Sequence, residues 1–244
     1  MMNTAHATTL ASTTNTPQRT AATATAATGI VSLLLLFSTI PILPPIPPFG
    51  SSQDQIVAFY STYVIRGYLY QFIAGIALLS ALWFLGYLYT RLRREVPESP
   101  LPIIMLASGT IWVAVAFVYL GLFQIFSTWT GQPVTYPTLR ALSDAYVLGF
   151  MFSVVPAAAT VLAAALSLQT SAGWPRWLKL LAIPVLAVEV LGCVPLIFPD
   201  TSLKAGGPVT YASVFAVVLW ISLASMTAVR TERSRLSNAL PESR

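Results

Sequence analysis

Six long apolar stretches separated by short polar loops are the feature that most constrains this 244-residue chain. A run of 18 or more apolar residues is typical of a transmembrane helix, because about 20 residues match the ~30 Å hydrocarbon core of a bilayer. Only 9% of the residues are charged, against about a quarter in a soluble domain. The sequence therefore predicts an all-α, polytopic transmembrane helical bundle. The six predicted spans are 29–43, 68–90, 102–126, 142–168, 177–198 and 209–229.

The sequence divides into three predicted regions: a disordered cytoplasmic tail at 1–28, a six-helix transmembrane domain at 29–229 and a basic cytoplasmic tail at 230–244. The first region is rich in Thr and Ala with one charged side chain, Arg19, so it lacks the apolar surface that a folded core needs. The apolar run at 30–37 also fits the core of a signal peptide. We favour an uncleaved span, because no small-residue cleavage pattern follows that run.

The positions of Lys and Arg predict the orientation of the spans. Arg66, Arg140 and Lys204 fall on one side of a six-span chain. The larger group on the other side comprises Arg19, Arg91, Arg93, Arg94, Arg176, Lys179, Arg230, Arg233 and Arg235. Because basic residues collect in cytoplasmic loops, we expect a cell-membrane protein with both termini in the cytoplasm. This pattern accounts for the net charge of +5 without a nucleic-acid partner. The expected partners are the lipid bilayer and either another membrane protein or a second copy of the chain.

An amphipathic helix is predicted on the outer side, ahead of the second span. A proline-rich stretch at 41–48, which is unable to stay helical, precedes it. Ser52 and Gln55 have the spacing of a capping box that opens a helix. Its apolar face comprises Ile56, Phe59, Tyr60, Tyr63, Val64 and Gly67. We expect this helix to continue into the second span as an interfacial anchor, with a lid over an outer cavity as the alternative.

Glu189 is the strongest single candidate for a functional residue. It lies near the middle of the fifth span, where a charged side chain costs ~3 kcal/mol and usually faces the bundle interior. Pro184 and Pro195 flank it and free backbone carbonyls one turn back. Its predicted face also carries Ala182, Val185, Gly192 and Cys193. Two roles remain open: a proton or ligand site, as in coupled carriers, or a structural interhelical hydrogen bond.

Three residues at the outer ends of the second and fourth spans form a second candidate. Arg140 and Asp144 are four residues apart and able to pair on one helical face, and Arg66 enters its span at similar depth. They would form either a polar outer vestibule or, as we favour, separate side chains that extend to the interface. In the same span, Pro156 beside small residues predicts a kink with close helix packing rather than a site.

Signatures of soluble enzymes are absent from the sequence. There is no Walker A loop, G-x-S-x-G elbow, H-E-x-x-H motif or dinucleotide fingerprint. The one histidine, His6, lies in the predicted tail, and the acidic residues lack metal-ligand spacing. We therefore expect no metal, no cofactor and no enzymatic activity.

One stretch of sequence resembles a known group of membrane proteins. It runs from Ala58-Phe59-Tyr60 through Arg66 and Leu82-Trp83-Phe84-Leu85-Gly86 to Arg91. This pattern is similar to that of uncharacterised actinobacterial six-span integral membrane proteins. The resemblance covers some 35 residues. It implies the six-span layout but no activity, and Glu189 lies outside it.

Three classes of function are compatible with the sequence. We favour, narrowly, a non-enzymatic accessory or scaffold module, which predicts a dry core and an inert Glu189. The alternative is a small proton- or ion-linked transporter or lipophilic-ligand carrier, which predicts a water-accessible cavity at Glu189. A membrane-embedded enzyme is the least supported, because it needs paired polar groups at one depth.

Overall fold

The computed structural model describes residues 15–48, 50–129, 136–197 and 207–237, and it is an all-helical bundle over these ranges. Six helical stretches are long and apolar enough to span a membrane, with α4 and α5 together forming one of them. The predicted fold class is confirmed. The helices are α1 (Asn15–Thr39), α2 (Gln53–Glu95), α3 (Leu101–Trp129), α4 (Tyr136–Phe152), α5 (Val154–Thr170), α6 (Arg176–Ile197) and α7 (Pro208–Ser237).

Helix α1 begins earlier than the sequence predicted. Its described part includes residues 15–28, which are helical and not the predicted disordered tail. Alanine, frequent in this stretch, is the best helix former. The stronger cause is tertiary: Ser222 and Ser225 of α7 donate hydrogen bonds to the carbonyls of Gly29 (2.8 Å) and Ala26, and Ala26 is fully buried. Small residues let the two backbones approach closely.

Helix α2 joins the amphipathic segment and the second span into one element of 43 residues, about 65 Å long. The predicted capping box is present: the Gln55 N–H donates to Ser52 Oγ (3.3 Å), and the Ser52 N–H donates to Gln55 Oε1 (3.0 Å). The helix kinks at Tyr63, where φ is −111° and ψ is 19°. A helix of this length exceeds the ~30 Å hydrocarbon core, so part of it extends into an interface.

The kink that the sequence predicts in the fourth span falls where the regular helix is interrupted, between α4 and α5. Pro156 has no N–H to donate to the Phe152 carbonyl, and the regular helix is interrupted at Ser153. Ser153 remains close to helical, because its N–H still donates to the Gly149 carbonyl (3.1 Å). The interruption is therefore confined to a single residue.

The bundle has two ends, which fix the positions of the candidate sites. The Pro44 end carries residues 40–48 and 50–52 and the start of α7, and the Arg91 end carries the turns after α2 and α5. Helix α1 packs against α2 and α7, α3 packs against α2, α4 and α5, and α6 packs against α5 and α7. Large apolar side chains on the outside of the bundle, including Phe72 and Trp83, are exposed. Such a surface suits contact with lipid.

Candidate functional site

Glu189 lies inside the bundle, where α6 packs against α5 and α7. Its side chain is 1% exposed, and Oε1 has no hydrogen-bond partner among the described residues. The packing is close on this face: a Cβ on Gly192, one turn along α6, would lie 3.2 Å from Ser213 Oγ and 3.4 Å from Val154 Cγ1. The Glu189 carboxyl group therefore lies in a closely packed part of the bundle. Its role as a proton or ligand site stays a prediction.

The two prolines that flank Glu189 do not break the helix. Pro184 and Pro195 both lie within α6, which runs without interruption from Arg176 to Ile197. Pro184 is exposed and Pro195 is buried on the same face as Glu189. The predicted loosening of the backbone is therefore limited to the missing hydrogen bonds.

The structure pairs two of the three predicted vestibule residues and leaves the third apart. Arg140 Nε lies 3.5 Å from Asp144 Oδ2, and Arg140 Nη1 donates to the Tyr136 hydroxyl (3.3 Å). Arg66 is exposed, and its guanidinium carbon lies 5.8 Å from the ring centroid of Tyr63 on its own helix. This arrangement fits separate interfacial side chains better than a shared polar vestibule.

A cavity of about 570 Å³ lies at the Pro44 end, among α1, α2, α3, α4 and α7, where the sequence placed no candidate site residue. Small side chains, including Ala74 and Ala77, leave the space, and the walls are aromatic and aliphatic. None of the described residues that line it has a charged side chain. Its polar side chains are Ser32, Thr39, Tyr70, Tyr119 and Tyr211.

A hydrogen bond between distant segments closes one wall of this cavity. The Ile46 N–H, in the proline-rich stretch after α1, donates to the Tyr211 hydroxyl on α7 (3.2 Å). The Tyr211 ring also lies against Phe150, with ring centroids 5.5 Å apart. The segment at 44–46 is thus fixed at the rim of the cavity.

The cavity and Glu189 lie on different faces of α7. Val214 and Val218 line the cavity, whereas Ser213 faces α6 at Gly192. Glu189 is not among the lining residues. The carrier hypothesis predicts a cavity at Glu189, and this carboxyl group does not line the cavity at the Pro44 end.

Sequence reasoning missed the cavity because its lining comes from five helices and from residues far apart in the chain. A signal was nevertheless present. Three tyrosines lie within the predicted spans: Tyr70, Tyr119 and Tyr211. A tyrosine hydroxyl that is buried in a membrane span usually has a hydrogen-bond partner. A set of such residues indicates polar contacts inside the bundle.

No protein family, curated protein or solved structure matches this chain. The resemblance to actinobacterial six-span proteins accordingly stays a prediction. Among the described residues there is no group of three or more His, Cys, Asp or Glu side chains that could hold a metal ion.

Proposed function

We propose that this protein is a membrane-embedded binding module that holds an uncharged lipophilic molecule in the cavity at the Pro44 end and carries out no covalent chemistry. The cavity itself carries the proposal. Its volume of about 570 Å³ falls in the 300–1,000 Å³ range of small-molecule sites, which are lined mainly by apolar and aromatic groups. A charged ligand is disfavoured, because the described residues that line the cavity include no charged side chain to offset its charge.

The hydroxyl groups in the cavity suggest how a ligand would be oriented. Tyr211 uses its oxygen to accept from Ile46, which leaves its own O–H free to donate. A ligand with a neutral oxygen, such as a carbonyl or hydroxyl group, matches this donor. Ile40 also lines the cavity and is 52% exposed, so the cavity reaches the bundle surface there.

The proposal includes an orientation, supported by the charge distribution of the sequence. The Arg91 end carries most of the basic residues and would face the cytoplasm. The cavity would then lie in the outer half of the membrane and exchange its ligand with the outer leaflet.

Tryptophan quenching tests whether the cavity is occupied. Trp112 lines the cavity and is 2% exposed, whereas Trp83 is 66% exposed on the outside of the bundle. We would titrate a long-chain brominated alcohol into nanodiscs containing the protein and resolve each signal with the Trp112→Phe and Trp83→Phe variants. Quenching of Trp112 should saturate, because a site fills, while quenching of Trp83 should rise in proportion to the probe dissolved in the lipid.

A matched pair of variants makes the test specific. Ala77→Leu adds the same three carbons inside the cavity that Ala114→Leu adds on the exposed face of α3. Ala77→Leu should abolish the saturable quenching of Trp112, and Ala114→Leu should leave it unchanged. If Trp112 quenching never saturates, or if both variants change it equally, the cavity is not a ligand site.

The accessory-module hypothesis is the second candidate, and the isolation of Glu189 favours it over a proton-linked carrier. Glu189 is 1% exposed and lies away from the cavity. An infrared titration would follow the protonated-carboxyl band that disappears in Glu189→Gln. A band that is constant from about pH 5 to 8 supports a structural carboxyl group, and one that titrates in that range supports proton exchange with water.

A further inference from the structure

Arg91 differs from the neighbouring basic residues at the Arg91 end of the bundle. Its side chain is only 7% exposed, whereas Arg93 and Arg94, close by on α2, are exposed. All three arginines belong to the group of basic residues that predicts the orientation of the spans. A buried guanidinium instead requires specific partners, because an unpaired charge is costly away from water.

The partners of Arg91 come from its own helix and from the turn between α5 and α6. Arg91 Nε donates to Glu95 Oε1 (3.1 Å). Its guanidinium carbon lies 4.3 Å from the ring centroid of Trp174, a cation–π contact. Glu95 Oε2 accepts from Ser171 Oγ, and Lys179 Nζ donates to the Ser171 carbonyl (2.8 Å). Trp174 is 4% exposed, and its ring covers the guanidinium of Arg91.

This cluster has more hydrogen-bond donors than acceptors. Arg91 Nη1, Arg91 Nη2 and Trp174 Nε1 are all buried, and none has a hydrogen-bond acceptor among the described residues. The Tyr87 hydroxyl donates its hydrogen to Glu232 Oε1 (3.0 Å) and interacts with the guanidinium, so its oxygen accounts for at most one of these donors. Buried donors without acceptors are rare in folded proteins, so these donors indicate a place where a further hydrogen-bond acceptor binds.

We propose that Arg91 Nη1, Arg91 Nη2 and Trp174 Nε1 form a binding site, the Arg91 site, for a phosphate oxyanion supplied by a phospholipid headgroup or by free phosphate. A guanidinium presents two parallel N–H groups that match two phosphate oxygens. Basic pockets between transmembrane helices on the cytoplasmic side are known to take lipid headgroups. The carboxylate of Glu95 is compensated by Arg91 Nε and Ser171, and Lys179 adds a second cation beside it.

Access to the Arg91 site is controlled by the turn between α5 and α6. A Cβ on Gly173 would lie 3.5 Å from Arg91 Nη2 and 3.3 Å from Glu95 Oε1, so the backbone of this turn covers the guanidinium. A phosphate reaches the Nη atoms when the turn moves aside. This site lies at the opposite end of the bundle from the cavity, and the inference does not depend on what the cavity binds.

Lipid titration with the full chain tests the Arg91 site. Native mass spectrometry of the protein in detergent would count bound phosphatidylglycerol, with diacylglycerol of the same acyl chains as the probe without phosphate. We expect one site that prefers phosphatidylglycerol. Arg91→Gln should weaken that site by about tenfold or more, because hydrogen bonds to a charged group are lost.

Arg93→Gln is the matched control, since it removes the same charge two residues away from an exposed position. It should change the affinity by less than about twofold, as expected for an exposed charge. Equal losses in the two variants, or no preference for phosphatidylglycerol over diacylglycerol, would overturn the proposal, because diffuse surface charge or the acyl chains would then explain binding.

Two further variants keep the inference testable if Arg91→Gln does not fold. Trp174→Phe retains an aromatic ring over the guanidinium but removes the indole N–H, and Arg91→Lys retains the charge but removes the planar fork. Both should fold and both should weaken phosphatidylglycerol binding. Full affinity in both variants would show that these donors do not contact the phosphate.

Free phosphate separates the two possible sources of the oxyanion. Inorganic phosphate added in excess should displace phosphatidylglycerol from the wild type if the site takes phosphate alone. If phosphate has no effect while phosphatidylglycerol binds in an Arg91-dependent way, the headgroup of a lipid is the ligand.

Discussion

Replacement of Gly29 by alanine probes the closest contact between α1 and α7. A Cβ at this position would lie 2.7 Å from Ser225 Cβ and 3.1 Å from Phe84 Cγ. Ordinary van der Waals contact begins at 3.4 Å, so the two helices must separate by about 0.7 Å to accept the methyl group. Ser225 Cβ is fixed to its backbone, and rotation of the side chain does not relieve the contact.

The expected cost follows from three contributions. Overpacking of a close interface costs about 1–3 kcal/mol. Separation of the helices also weakens the hydrogen bonds from Ser222 to Gly29 and from Ser225 to Ala26, each worth roughly 0.6 kcal/mol in a membrane protein. The gain from replacing a helical glycine by alanine is about 0.5–1 kcal/mol. The free energy of unfolding should therefore fall by about 2 kcal/mol in Gly29→Ala.

Gly86→Ala is the control for this prediction. No heavy atom lies within 4 Å of a Cβ built on Gly86, so this variant should only gain helix propensity, about 0.5–1 kcal/mol. The assay is unfolding in mixed micelles with increasing dodecyl sulfate, followed by circular dichroism. The reasoning fails if Gly29→Ala unfolds at the same or a higher midpoint than Gly86→Ala.

Three further outcomes are expected. Glu189→Leu should leave the free energy of unfolding unchanged or raise it by up to about 1–3 kcal/mol, because it removes a buried oxygen without a partner; a clear loss in the same micelle assay would show that the carboxyl group has a stabilising contact. Tyr211→Phe removes the acceptor of the Ile46 N–H. Loss of this hydrogen bond, worth about 1 kcal/mol, should accelerate deuterium exchange at the Ile46 amide about fivefold. An unchanged exchange rate would contradict this prediction. The orientation can be tested with Asp54→Cys and Glu98→Cys, both at exposed positions, in a background without the native cysteine. An impermeant maleimide should label Asp54→Cys from outside the cell and Glu98→Cys from the cytoplasmic side. The opposite labelling pattern would reverse the proposed orientation.

Features that depend on residues close in the chain were predictable from the sequence. The capping box joins Ser52 to Gln55, three residues apart, and the structure contains both of its hydrogen bonds. The kink at Ser153 follows from Pro156, whose missing N–H acts on the carbonyl four residues earlier. The six spans follow from hydropathy alone, because the length of an apolar helix is set by the bilayer.

Features that depend on distant residues were not predictable in this way. The buried Arg91 interacts with Trp174 on another element, yet each residue alone is typical of a membrane boundary, one as a cytoplasmic cation and the other as a belt aromatic. The early start of α1 depends on hydroxyl groups of α7. Periodicity indicates which face of a helix is buried, but it does not indicate which helix covers that face.

The contact between α1 and α7 has a consequence for how the chain is assembled during synthesis. Ser222 follows Gly29 by 193 residues, and a ribosome adding about 5–20 residues per second needs roughly 10–40 s to cover that distance. Over this interval α1 has α2 as a neighbour, while the carbonyls that later accept from α7 are bonded only within their own helix. Emergence of α7 therefore closes the bundle. A nascent chain that stops before Ser222 should leave α1 accessible to chaperones and to membrane proteases. The interface between α1 and α7 therefore forms only in chains that have been synthesised past Ser222.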